Sequence, residues 1–565
     1  MRTFRQQLFV LGAGVLALAA VHAVPAAGAD EPAGVEVVDV TSNAVEGEAG
    51  FGLRGDSGVS PKVAPTVEEE ARFRIFDITV EGNTLLSPEE LRDVLAPFVG
   101  PGKTATDVEN ARDSLEQYYH EEGFPAVLVN IPEQTVQNGR ITLQAIESTV
   151  GRINVTGNRW FAAGLILNEL PSLREGQVVY VPWIEQDLGR LAGVPDLKIT
   201  PSMLPGREPG TVDVDLKVED KLPLHASLEL NNRNSLNTSA YRLNGMLRYD
   251  NLWQRLHSIS TQFQTAPEEP SEVLVLSGSY LMPAPWASTH KLVAYGVYSD
   301  SETGFGEGFK TLGKGYVGGF RYILPLEPVA SLNHSLTLGF DYKDFRESQT
   351  LETRVGYLPF TVGYNAGVPD KTGVTAFGAN LNVAVRGLVT KSEEFREKRT
   401  RARGNYVYAT ASLERNQQLP AGFGLFAKVD GQVSDQPLIS NEQFVAGGMD
   451  TVRGYRESEA SGDNGVHGTI ELMGPELGKV AGVEKRVELT PYVFYDAANL
   501  SVKEAGPEQL DDFTIQSVGA GVRGILLSHL DYQVDWAFAL KDMKGAPENT
   551  QSGDSRVLFK VKLQF

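Results

Sequence analysis

Val557-Leu-Phe559-Lys-Val561-Lys-Leu563-Gln-Phe565 ends the chain. Val557, Phe559, Val561, Leu563 and Phe565 share one parity, and Lys560, Lys562 and Gln564 share the other. Successive side chains of a β-strand point to opposite faces, so the run reads as a strand with one apolar and one mainly polar face. The same alternation recurs upstream. Tyr532, Val534, Trp536, Phe538 and Leu540 interleave with Asp531, Gln533 and Asp535. Leu336, Leu338, Phe340 and Tyr342 interleave with Ser335, Thr337, Gly339 and Asp341, and Ala379, Leu381, Val383 and Val385 with Asn380, Asn382 and Arg386. From about Leu222 onward helical periodicity gives way to this period of two. The polar face either meets bulk water, as in a soluble sandwich, or lines the lumen of a membrane barrel.

Three features favour the membrane. The last strand ends on Phe565, which resembles the insertion signal of outer-membrane barrels. Trp253, Trp286 and Trp536 fall near strand ends, where an interfacial girdle is expected. Residues 222–565 also allow roughly 21 residues per strand and loop in a barrel of 16 strands, although alternation alone admits about 14 to 18.

Composition narrows the class further. Residues 1–29 read as a targeting segment: Arg2 and Arg5 precede an apolar run from Leu8 to Val21, and Ala27-Gly28-Ala29 is a small-x-small cleavage site. No later stretch reads as a membrane helix, and mean hydropathy is −0.19. With no cysteine, the chain has neither disulfides nor thiolate metal sites. A net charge of −21 argues against a nucleic-acid partner, and the eight histidines lack ligand-like spacing. No cofactor or metal is expected.

The front third contains an internal repeat. Ile78-Thr-Val80-Glu-Gly82-Asn83 returns 75 residues later as Ile153-Asn-Val155-Thr-Gly157-Asn158. Each copy is a short strand ending at a Gly-Asn turn. Ser87-Pro88-Glu89-Glu90 then reads as a capping box, and Leu91, Val94, Leu95 and Phe98 form one helical face. A second box is expected at Thr106 to Glu109, opening a helix with Val108, Ala111, Leu115 and Tyr118 on one face. Strands follow at Val127–Ile131 and Arg140–Ala145. The order is β-α-α-β-β. His120, at a helix end without a nucleophile or metal partner, reads as structural.

The string Tyr118-Tyr119-His120-Glu-Glu-Gly123-Phe124, with Pro132-Glu-Gln134 and Gly139-Arg-Ile141-Thr-Leu143, resembles the first POTRA module of two-partner secretion transporters. The expected division is a signal peptide at 1–29, a flexible linker at 30–71, POTRA 1 at 72–148, POTRA 2 at 149–221 and a transmembrane antiparallel β-barrel at 222–565. Relatives can carry a plug helix in the linker; no convincing amphipathic helix is present before Val67. The Asn231-Asn-Arg233-Asn234 and Arg248-Tyr249-Asp250-Asn251-Leu252-Trp253 segments resemble the first barrel hairpin of haemolysin-secretion transporters, and the family supplies the count of 16 strands.

The remaining signal is Phe444-Val-Ala-Gly447-Gly448-Met-Asp450-Thr-Val452-Arg453-Gly454-Tyr455, followed by Glu459-Ala-Ser461-Gly462-Asp463. Val452-Arg453-Gly454-Tyr455 matches a family motif on the sixth extracellular loop, which folds into the lumen; here that loop spans about 444–466. The resemblance implies a buried Arg453, which needs a carboxylate. The family's partner lies in an F-x-D-x-G string, matched by Phe494-Tyr495-Asp496-Ala497-Ala498 except that Ala498 replaces the final glycine. Gly447 and Gly448 would hinge the loop, Gly454 would allow its tight turn, and Tyr455 would pack on the wall.

The implied function is capture of an unfolded exoprotein in the periplasm and its export through the barrel of a Gram-negative outer membrane. The expected partners are that cargo, outer-membrane lipid and, during biogenesis, the barrel assembly machinery. Capture by strand addition reads backbone, and the closing strand of each module is the expected edge. The alternatives are an outer-membrane protein assembly factor of the same superfamily and a passive channel. No nucleophile elbow or ligand cluster suggests an enzyme. Gly313-Lys-Gly315-Tyr-Val-Gly318 matches a dinucleotide pattern, but it continues as strand and lacks the helix that such a site needs.

Overall fold

A computed structural model describes residues 36–37 and 71–565, except 136–137, 237, 302–312, 349–351, 484–485, 507–509 and 546–547. The targeting segment, nearly all of the linker and any plug helix lie outside the described residues. The chain divides into two compact units, with the break between Leu222 and Pro223.

The first unit contains two modules built on one plan. In the first, Ser87 caps the helix Pro88–Leu95: its hydroxyl accepts from the Glu90 amide, and the Glu90 carboxylate accepts from the Ser87 amide at 2.7 Å. The cap of the longer helix Ala105–Glu121 is Thr104 with Asp107, two residues before the expected box. Thr104 is still extended, and an aspartate three residues on closes the same reciprocal bonds as a glutamate. Gly100–Lys103 stops the preceding turn and also pairs with Phe73–Ile75. Leu115, Tyr119, Val127, Val129, Ile141 and Leu143 are among the residues that fill the core. His120 is structural: its Nε2 lies 3.1 Å from the Val127 carbonyl oxygen.

The second module repeats the order with strand Thr149–Thr156, helices Ala163–Asn168 and Val181–Leu191, and strands Leu197–Pro205 and Thr211–Asp220. The repeated turn has one physical cause. Gly82 and Gly157 both adopt φ +83°, and an added Cβ would lie 2.3 Å from the Ala145 carbonyl oxygen in one copy and 2.5 Å from that of Val218 in the other. A side chain would collide with the closing strand.

Those closing strands are not edges, contrary to expectation. Arg140–Glu147 lies between Asp77–Glu81, parallel to it, and Val127–Asn130, antiparallel. Thr211–Asp220 lies likewise between Thr149–Thr156 and Leu197–Pro205. The closing strand runs antiparallel to its predecessor, and its other side receives the opening strand through the two-helix crossover. In the second module, Glu36–Val37 pairs in parallel with Ser202–Met203.

The second unit is a closed barrel. Among the described residues, sixteen antiparallel strands run from Leu224–Asn231 to Ser555–Gln564, with Glu352–Tyr357 and Pro359–Asp370 forming one strand interrupted at Leu358. Ser227 to Asn231 pair with Gln564 to Lys560 and close the ring. Phe565 adds a final rung, exchanging backbone hydrogen bonds with Ala226. One parity of the wall is apolar and exposed, including Leu247, Leu338, Val362, Leu413 and Ile470, while the other buries Arg321, Asp341, Asp496 and Asp535. Apolar outside and polar inside is the pattern of a barrel in lipid. Gly313 to Gly318 lie within the strand Gly313–Pro325, so the dinucleotide pattern forms no phosphate-binding turn.

Candidate functional site: the loop inside the barrel

The segment 435–463 joins the eleventh strand, Gly424–Ser434, to the twelfth, Asn464–Met473. Its base is a small hairpin, Phe444–Ala446 against Ala460–Gly462. Gly447 and Gly448 follow at φ +106° and +103°, backbone that L side chains rarely adopt. A Cβ on Gly448 would also strike the Glu457 carboxylate.

Arg453 is 3% exposed. Its Nε and Nη2 donate to the two oxygens of Asp496 at 2.9 and 2.6 Å, and its backbone amide adds a third bond at 3.2 Å. Nη1 donates to Glu471 at 2.6 Å, and Nη2 also reaches the Thr469 hydroxyl at 3.1 Å. The guanidinium lies 3.4 Å from the centroid of the Phe494 ring. Asp496 accepts further bonds from the hydroxyls of Thr469 and Ser517. A planar fork between two carboxylates and over an aromatic face is a geometry available to arginine and not to lysine. Glu471 also meets Arg523 at 3.0 Å, and Arg523 covers Tyr492, whose hydroxyl donates to Asp535.

The other motif residues pack around this pair. Val452 and Tyr455 are buried with Phe444, Ala498, Leu500 and Ile515. The Tyr455 hydroxyl donates to the Lys541 carbonyl at 2.6 Å. The methyl of Ala498, where the family motif has glycine, sits in this apolar patch, and the ion pair forms beside it. Gly454 is outside the left-handed region, so its role differs from the tight turn expected. An added Cβ would lie 2.9 Å from Ala539 N and from Ser517 Cβ, so glycine permits close approach to the wall. Phe565 lies away from the loop, exposed at the seam.

Sequence reading found one loop anchor and missed several others. Glu442, 1% exposed, accepts from Lys343 Nζ at 2.6 Å and from the hydroxyls of Tyr357 and Tyr408 at 2.6 and 2.8 Å. Arg233, just past the first strand, pairs with Asp450 at 2.5 Å and Glu457 at 3.0 Å. Glu459 accepts from the amide and hydroxyl of Thr550. Asp463 receives both Nη atoms of Arg399 and the amides of Leu438 and Lys503. Lys343, Tyr357 and Tyr408 belong to the seventh, eighth and tenth strands, whereas Thr550 and Arg233 flank the seam on the opposite side of the ring. The loop therefore bridges the lumen. The sequence signal was an excess of acidic residues around the arginine motif; their partners, from 25 to 224 residues away, left no local trace. The carboxylates of Asp496, Glu471, Glu442 and Asp463 are all engaged by protein donors, an arrangement suited to fastening a loop.

A closed barrel with periplasmic-type modules in front and a loop drawn across its lumen defines an outer-membrane transporter. Residues 210–524 match the family described as haemolysin secretion/activation protein ShlB/FhaC/HecB, and residues 73–148 match the ShlB-type POTRA domain. The chain belongs to that family: it is an outer-membrane transporter of the two-partner secretion type, with its POTRA modules in the periplasm. Among its relatives are the outer membrane transporter CdiB of Dickeya dadantii, 22% identical over 71% of this chain and 72% of that protein, and the heme/hemopexin transporter HuxB of Haemophilus influenzae, 19% identical over 80% and 81%. The solved structure of CdiB from Escherichia coli superposes with a TM-score of 0.63 at 17% identity, covering 90% of this chain and 93% of that one.

Proposed function

We propose that the modules receive an unfolded exoprotein by strand addition and that the loop 435–463 is the barrier it must displace to cross the lumen. We divide the chain for this purpose at 72–148, 149–221 and 222–565. With the closing strands internal, the receiving edge in the first module is Val127–Asn130. It is short, and among the described residues it is paired on one side alone, with Leu128 exposed. Main-chain hydrogen bonds there tolerate any cargo sequence. Outer-membrane lipid surrounds the wall, and the assembly machinery reads the strand ending in Phe565 during biogenesis. Transport here involves no catalysis; folding of the cargo outside supplies the drive.

The observation that carries this reading is the attachment of one loop to both sides of the barrel. A polypeptide cannot pass while Glu442 is docked on one side and Asp450, Glu457 and Glu459 on the other. The Arg453–Asp496–Glu471 cluster is the principal lock. The test compares culture supernatant and outer-membrane proteomes of wild type, a deletion strain and Arg453→Ala. Loss of one large secreted protein, with other barrels unchanged, supports a dedicated exporter. Depletion of many barrel proteins with normal secretion would make the protein an assembly factor instead.

A further inference from the structure

The chain enters the barrel from the periplasm, so odd-numbered strands begin, and even-numbered strands end, at the periplasmic rim. At that rim a histidine-tyrosine pair occurs three times, on every second strand. His257 Nδ1 lies 2.5 Å from the Tyr280 hydroxyl, His290 Nδ1 lies 2.5 Å from that of Tyr322, and His334 Nδ1 lies 3.1 Å from that of Tyr364. In all three the rings meet edge to face, with centroids 5.5, 5.6 and 5.8 Å apart. All six residues share the outward parity of Ile259, Leu276 and Leu338, so they stand on the lipid side of the wall.

One of the pairs fixes where the imidazole proton sits. His334 Nε2 lies 3.0 Å from the Glu327 carbonyl, which only accepts, so Nε2 carries hydrogen and Nδ1 accepts from Tyr364. Tyr322 accepts from the Trp286 indole at 3.4 Å and has its own proton available for His290 Nδ1. The same tautomer at His257 and His290 would put an N–H on Nε2, on the lipid side of the wall. The third histidine spends its Nε2–H on its own chain. Arg255, exposed in the turn before His257, adds a cation to the same rim.

Directly above the first two pairs the wall is hollow. Gly278 faces Gly296, and Gly296 faces Gly318, all on the outward parity. A Cβ at Gly278 or Gly296 would meet nothing nearer than a carbonyl oxygen at 3.8 or 3.9 Å, and at Gly318 nothing within 4 Å. Unlike Gly454, these glycines answer no need of the protein's own packing. Glycine inside a strand weakens it and marks places where something else comes close. The hollow is a groove of about 620 Å³ lined by Leu247, Ile259, Gly278, Tyr280, Ala294 and Gly296.

We propose that this is a binding site for a glycerophospholipid of the periplasmic leaflet. Its phosphate accepts from Nε2–H of His257 and His290 beside Arg255, and one acyl chain lies in the glycine-floored groove. The arrangement joins donors for an anion to an apolar groove, with the headgroup end at the membrane surface.

The test uses the full chain in nanodiscs of phosphatidylethanolamine and phosphatidylglycerol, released for native mass spectrometry so that retained phospholipid is counted. Wild type should keep bound phospholipid. His257→Leu with His290→Leu should lower retention about tenfold, the value of a lost charge-assisted hydrogen bond. Gly278→Val with Gly296→Val should lower it comparably while leaving the barrel folded, since valine fits the open space and favours strand; heat-modifiable gel mobility checks the fold. His334→Leu should keep its lipid. The proposal is overturned if wild type retains none, if the groove-filling variant retains as much as wild type, or if His334→Leu loses as much as the other histidine pair.

Discussion

On one stretch the loop offers the barrel wall an anion, and on another a cation. Glu442 reaches Lys343, Tyr357 and Tyr408, whereas Arg453 reaches Asp496, Glu471 and Thr469. The two ends fail differently. Without Glu442 the wall is left with two neutral hydroxyls and one lysine, which is long enough to find water. Without Arg453 two buried carboxylates face each other across a gap. Glu471 keeps Arg523, but Asp496 is left with the neutral hydroxyls of Thr469 and Ser517, and a buried charge that loses its counter-ion is costly. The arginine end is therefore the stronger fastening.

The largest break in this comparison is Arg453→Ala, expected to undock that end at a cost of about 3–5 kcal/mol. Single-channel recordings in planar bilayers should show a higher and noisier conductance than wild type. Arg453→Lys should fall between, because a point charge cannot satisfy both carboxylates and the ring. Unchanged conductance and unchanged hydrogen-exchange protection of residues 452–456 would remove the lock from this account. Next comes Gly454→Ala, whose methyl meets the wall at Ala539 and Ser517. An overpacking cost of about 1–3 kcal/mol should lower the unfolding temperature of the purified barrel without freeing the ion pair.

Glu442→Gln should cost about 1–2 kcal/mol, since the amide oxygen still accepts from the tyrosines but loses the ammonium. Exchange should rise at residues 440–446 and stay low at 452–456. Equal loosening of both ends would mean that they act as one unit.

The smallest effect lies outside the barrel, where the half-exposed Arg152 and the largely buried Asp213 make a smaller counterpart of the lumen pair. The Arg152 amide and guanidinium hold the Asp213 carboxyl below its ordinary pKa. A depressed carboxylate stabilises the fold above its unfolded pKa, and that contribution is lost as pH falls through the folded value. Exchange protection of Thr149–Thr156 should thus be flat above about pH 4 and decline below it. Asp213→Asn should show no such step.

Much of the barrel was legible because alternation is local. The parity of Val557 to Phe565, or of Leu336 to Tyr342, needs no knowledge of neighbouring strands. The repeated Gly-Asn turns were legible for a similar reason, since each copy needs the same positive φ under a closing strand. The place of that closing strand in the sheet was not, because pairing order follows from the crossover and not from any one strand. The box at Thr104 was misplaced by two residues because Thr104 and Thr106 are both good caps, and only the backbone selects between them.

The site divides in the same way. Sequence named Arg453 and Asp496 through a motif, and it assigned Gly454 to a turn when its role is contact with the wall. Glu471 carries no motif. It shares the inward parity of Thr469, and the register that sets Thr469 opposite Asp496 and Glu471 opposite Phe494 brings it to the guanidinium. Arg233 belongs to a segment 224 residues before Glu457, and ring closure brings it to the loop, whereas Arg399 reaches Asp463 from the connection before the tenth strand.

By itself, then, the chain determined which residues face water and which face lipid, where the turns need glycine, and that a buried cation requires an anion. These are properties of a few consecutive residues and of desolvation. Only the tertiary structure decided which anions answer Arg453 and that the loop is tied to both sides of the lumen. Register and ring closure are set jointly by sixteen strands, and no short stretch of sequence contains them.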